Sequence, residues 1–165
     1  MCGLLKSVRK NVIKLGKLTD YAIVLLIQLI REGEGASRSA HALAEKTGVP
    51  EPTVAKILKI LAKENLVEST RGAAGGYRLA RPAEAYSIVD VITGMDGPIA
   101  VVACVDGSED DCAARDKCPV KGNWDRVNEA IKTALSAIKL TEMSVSTCGK
   151  VYDFVAPPVS CAGEG

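Results

Sequence analysis

The sequence predicts a mainly α fold with a small β wing: a winged helix-turn-helix domain followed by a long dimerisation helix. Three observations predict it. Apolar residues recur at helical spacing along residues 21–31, 40–46 and 54–61. A glycine-rich stretch at 71–76 separates two short runs of strand-forming residues. A further apolar stripe, Trp124, Val127, Ile131, Leu135 and Ile138, lies outside that compact region.

The elements follow in order. Residues 1–16 are basic and carry no acid; they are read as a frayed N-terminal extension rather than an ordered arm. Thr19 or Asp20 opens the first helix, Tyr21 to Arg31, so apolar that it must lie deep, and Gly33 and Gly35 end it. Ser37 or Ser39 caps a second helix, Ala40 to Lys46, before a turn hinged at Gly48. Pro50 and Pro52 start a third helix. Its buried stripe is Val54, Ile57, Leu58 and Leu61; Lys56, Lys59 and Lys63 fall off it, and Asn65 stops it. Strands at 66–70 and 77–79 form the wing. Residues 86–92 make a fourth helix ended by Gly94, and a helix runs from Asn123 to about Leu140. The resulting division is an extension (1–16), a winged domain (17–95), a cysteine loop (96–122), a dimerisation helix (123–143) and a disordered tail (144–165) holding Cys148 and Cys161.

Bulk properties narrow the class. The 165 residues are 47% hydrophobic and 25% charged, which is globular, and with 4% aromatics the core must be aliphatic. Residues 1–81 carry 14 Lys and Arg against 7 Asp and Glu, net +7, whereas residues 82–165 carry 7 against 13, net −6. Such a split points to a nucleic-acid surface on the basic half. The longest apolar run, Tyr21 to Ile30, is ten residues, well short of the roughly 20 that span a bilayer. No secretory signal pattern is visible, so a cytoplasmic location with reduced thiols and no membrane partner is expected. There is no Cys-x-x-Cys pair, no glycine-rich phosphate loop and no base beside a nucleophile, so an enzyme is not expected.

Two constellations carry the chemistry. The third helix fits a major groove of double-stranded DNA, with Glu51, Thr53, Ala55 and Lys56 toward base edges and Lys59 toward phosphate. Arg71 and Arg78 arm the wing, where an arginine can enter a narrow minor groove. The alternative is a helix-turn-helix shape that binds no DNA, its lysines a solvated face. The second constellation is Cys104, Cys112 and Cys118, with seven residues between the first two and five between the last two. Zinc sites usually pair cysteines two to four residues apart, and ferredoxins show a tighter run. Three thiolates on a loose loop still suit one iron–sulfur cluster; zinc or a disulfide switch stays open. The loop's acids, Asp106, Glu109, Asp110, Asp111 and Asp116, disfavour free thiolates, so a metal would have to drive deprotonation. The stripe on the last helix needs a cover, and a second copy of the chain is the simplest.

Residues Lys17-Leu18-Thr19-Asp20-Tyr21-Ala22, the wing Arg71-Gly72-Ala73-Ala74-Gly75-Gly76-Tyr77-Arg78-Leu79, and the cysteine triad before a long helix resemble the IscR-like (Rrf-type) winged-helix regulators. The loop with Pro119, Asn123 and Trp124 looks most like the SUF-system regulators among them. The likeness covers about residues 17–143. It implies a homodimer, a two-iron two-sulfide or four-iron four-sulfide cluster on Cys104, Cys112 and Cys118, and repression of iron–sulfur assembly or iron-homeostasis genes. Two departures stand out. The first cysteine interval is two residues longer than the family's usual five, and Lys121 stands where some relatives place a histidine ligand. The resemblance offers Asp20, from the opposite subunit, as fourth ligand; its alternative role is a helix cap. His41, the only histidine, is read as an exposed helix residue rather than a ligand.

Overall fold

The computed structural model describes residues 15–70, 72, 75–102, 105, 117–120 and 122–144. Residues 1–14, Arg71, Cys104, Cys112, Lys121 and the tail from 145, with Cys148 and Cys161, lie outside the described residues. The order is α1 (Lys17–Glu32), α2 (Ala40–Thr47), α3 (Glu51–Lys63), β1 (Val67–Thr70), β2 (Gly76–Leu79), α4 (Ile88–Asp96), α5 (Asn123–Ala137) and α6 (Leu140–Ser144). This is the winged helix-turn-helix plan the sequence predicts.

The core is aliphatic, as the composition requires. Ala22, Ile23, Leu25, Leu26 and Leu29 of α1 pack with Leu43 of α2, Val54, Ile57, Leu58 and Leu61 of α3, and Val91 and Ile92 of α4. All four residues of the α3 stripe are fully buried, each contributing on the order of 1.5–3 kcal/mol. Ser39 proves to be the α2 cap, its hydroxyl accepting from Ala42 N at 3.1 Å. Gly48 takes the left-handed turn at φ 71°, and its N–H closes the helix on Ala44 O. Asn65 stops α3 at φ 55°, while Leu66 N–H reaches back to Leu61 O at 2.8 Å. Asparagine tolerates that backbone better than most side chains do.

The wing is an antiparallel pair with Glu68 opposite Arg78 and Thr70 opposite Gly76. No local pattern announces its third edge. Arg38, in the α1–α2 connection, exchanges two backbone bonds with Tyr77, at 2.9 and 2.8 Å. Glu32 secures the same corner, accepting from Gln28 (2.7 Å), from Arg38 and from Lys46. Those donors, Lys46 foremost, lower the Glu32 carboxyl to about 2. The tie is therefore complete above the ordinary glutamate value of 4.5 and dissolves only as the pH falls toward 2.

Several predicted boundaries move. The first helix opens at Lys17 after Gly16, because Thr19 is buried and donates its hydroxyl to Asp96 Oδ2 at 2.6 Å instead of capping. Asp20 lies inside the first turn, exposed, and is not a cap. The fourth helix starts at Ile88 behind a capping box of Ser87 and Asp90, and runs through Gly94 to Asp96. Gly94 serves packing here: a Cβ on it would stand 3.0 Å from Leu66 Cδ1. Tyr86 is no helix residue. Fully buried, it donates to Leu66 O (2.7 Å) and accepts from the N–H groups of Ala80 and Arg81, locking the exit of the wing to the end of α3.

The last long helix ends at Ala137, not near Leu140. Ile138 is extended (φ −87°, ψ 114°), and its carbonyl accepts from Ile88 N at 3.1 Å. The chain then bridges Ser87 through Lys139 and buries Leu140 in the core as α6 begins. Periodicity alone carried the stripe past this point; competing backbone bonds to α4 break it. Among the described residues no helix is long and apolar enough to cross a membrane.

Candidate nucleic-acid interface and cysteine loop

The α3 stripe fixes the rotation of that helix, and the rotation decides what faces out. With Val54, Ile57, Leu58 and Leu61 inward, Glu51, Lys56, Lys59 and Lys63 are exposed and Thr53 and Ala55 are half-buried. The lysines thus present one positive face, as counterion-releasing phosphate contacts require. Of the wing arginines only Arg78 is described, and it is exposed. It is not free: Nε and Nη2 both donate to Glu68 Oε2 across the strands, at 3.0 and 2.8 Å. A phosphate must displace Glu68 to take Arg78. Glu68→Gln is therefore expected to leave stability nearly unchanged, since exposed pairs contribute little. It should raise DNA affinity by up to about fivefold, the scale of such a pair. Fluorescence anisotropy on a labelled duplex checks it; unchanged affinity means that Arg78 does not meet DNA.

Glu51 also has an unforeseen partner. His41 of α2 sets Nδ1 3.0 Å from Glu51 Oε2 and Nε2 3.6 Å from Glu45 Oε1. Two acids around one imidazole raise its proton affinity above the ordinary value of 6.5, the Glu51 hydrogen bond first. The His41–Glu45 spacing is readable on a helix. Its link to Glu51 is not, because it depends on how α2 crosses α3.

Of the three cysteines, Cys118 is described: a free thiol, half-buried, shortly before α5. A thiol at the foot of a packed helix suits a soft metal ion. Among the described residues, no three His, Cys, Asp or Glu side chains gather as a metal site, and Asp20 makes no such group. Ahead of the cysteines, Ile99 and Val101 are held to α5: Asn128, 2% exposed, donates to Ile99 O at 3.0 Å and accepts from Val101 N at 3.2 Å. A polar residue inside the apolar stripe gave no hint of this anchoring.

The stripe itself divides. Trp124, Val127 and Ile138 are 38%, 43% and 40% exposed. Ile131 is half-buried, and Leu135 packs against its own core. Val120 and Met143 add to the exposed apolar side chains nearby in sequence.

Comparison with known proteins agrees with this layout. The family model described as Rrf2, iron-dependent transcriptional regulator, matches residues 15–145. Protein aau3 of Rhizobium meliloti is 36% identical over 124 residues, 75% of each chain. Among solved structures, CymR, the global cysteine regulator of B. subtilis, superposes with a TM-score of 0.62 at 26% identity, covering 81% of this chain and 97% of its own. IscR of T. potens superposes with a TM-score of 0.58 at 27% identity, covering 79% and 85%.

Proposed function

This chain belongs to the Rrf2 family and is a DNA-binding transcriptional regulator, not an enzyme; from that premise we propose a cytoplasmic homodimeric repressor of iron–sulfur assembly or iron-homeostasis genes that senses an iron–sulfur cluster. The observation that carries the reading is the junction of loop and helix. Cys118 stands just ahead of α5, the helix that exposes Trp124 and Val127 and holds Ile99 and Val101 through Asn128.

Cys104, Cys112 and Cys118 would hold the cluster, with the fourth ligand supplied by Asp20 of the other subunit or by a small molecule. When bound, such a cluster supplies a centre that oxidants and iron scarcity can dismantle. The chain's own part is mechanical. Asn128 transmits the set of the loop to α5, and α5 sets the separation of two α3 helices. Half-sites lie about 34–36 Å apart on DNA, so a shift in that separation weakens both contacts together. On each half-site Glu51, Thr53, Ala55 and Lys56 read bases, Lys59 meets phosphate, and Arg71 and Arg78 extend the grip.

Anaerobic reconstitution tests the cluster. The wild type is expected to be coloured and to hold iron with acid-labile sulfide, and Cys118→Ala to lose both while staying folded. Colourless protein containing zinc, or a disulfide that forms reversibly, would replace this reading with a cluster-free switch on the same cysteines.

A further inference from the structure

We propose that His41 is a positioning residue for DNA recognition: its imidazolium clamps Glu51 at the start of α3, so that operator binding takes up a proton from solvent. The inference rests on the placement of α3 against DNA proposed above and adds an exposed group outside the buried core. The geometry is a three-membered bridge, Glu45–His41–Glu51, across the helix-turn-helix. Among the described residues Glu51 comes from α3 and Glu45 from α2 itself. α1, the other helix packed on α2, turns its nearest acid, Glu32, to Arg38 and Lys46 instead.

An imidazolium donates from both ring nitrogens, whereas neutral imidazole donates from one only. Deprotonation therefore breaks one side of the bridge and leaves a lone pair facing a carboxylate. It also leaves the charges of Glu45 and Glu51 unopposed at a surface that must approach phosphates. DNA, strongly negative, favours the protonated form further. The sign follows. The His41 value already lies above 6.5 because of Glu51 and then Glu45. The bridge is complete below the ordinary value and loses one side, with the imidazolium charge, as the pH rises through the raised one. Affinity should thus fall with rising pH, by about tenfold per protomer for each unit by which DNA raises the His41 value.

The chain has a single histidine, so its ring protons report the titration without ambiguity. In free protein, Glu51→Gln should move the NMR midpoint of His41 down; an unmoved midpoint overturns the bridge. On a fixed duplex at constant salt, affinity is measured between about pH 6 and 8.5, the range that brackets histidine titration. The wild type should weaken as the pH rises, and His41→Gln, a change at an exposed site, should flatten the profile. A flat wild-type profile overturns the proposal. If Lys56→Ala still weakens binding in that case, only the role of His41 has failed. If Lys56→Ala is also without effect, the placement of α3 on DNA has failed, and the proposal with it.

Discussion

Val127→Asp is expected to yield a folded monomer whose operator affinity is lower by about 100- to 10,000-fold, the range lost when two linked modules no longer bind together. The protomer should survive because Val127 is 43% exposed and takes no part in the buried cluster. The neighbouring Asn128, which ties α5 to Ile99 and Val101, is untouched. The dimer should not survive, because a carboxylate would be trapped among apolar side chains without a partner. Sedimentation gives the oligomeric state, circular dichroism the fold, and anisotropy on a two-half-site duplex the affinity. A dimer of wild-type affinity would remove α5 from the interface and the proposed coupling with it.

Gly76→Ala carries the second large effect, and it acts on the fold. A Cβ at this position would lie 2.6 Å from both C and O of Arg38 and 2.8 Å from Ser37 Oγ. Backbone atoms cannot turn aside as a flexible side chain can. The next residue, Tyr77, is bonded twice to that same Arg38, and Thr70 takes up Gly76 N–H from the other strand. β2 must therefore lift from the α1–α2 connection. The expected cost is about 1–3 kcal/mol, as for overpacking elsewhere, read as a lower midpoint in urea. Arg78, two residues on, moves with the strand, so DNA affinity should fall together with stability. Gly72→Ala is the contrasting variant. At φ 116° with open space around it, it meets backbone strain alone and leaves the Arg38 seam intact. Equal effects from both would show that the close approach of Arg38 is not what demands glycine at 76.

Much of this was legible in the chain. The α3 stripe, the Gly48 hinge, the Asn65 stop and the strands about 71–76 are local matters, settled by spacing and backbone preference within a few residues. So were the exposed lysines of α3, since a helix with one face buried must show the other. Residues that act through partners distant in sequence were not legible. Thr19 looks like a cap until Asp96 arrives beside it, 77 residues on. Tyr86 looks like the start of a helix until Leu66 offers its carbonyl. Leu135 belongs to the stripe by count, yet turns to its own domain.

By itself the sequence determined the winged helix-turn-helix plan, its aliphatic core and the exposed lysine face of α3, because periodicity and turn chemistry act over one or two helical turns. Tertiary structure alone decided where α5 stops, that Arg38 adds an edge to the wing and that His41 sits between Glu45 and Glu51. Those outcomes depend on backbone and side-chain bonds between segments whose mutual distance no local pattern records.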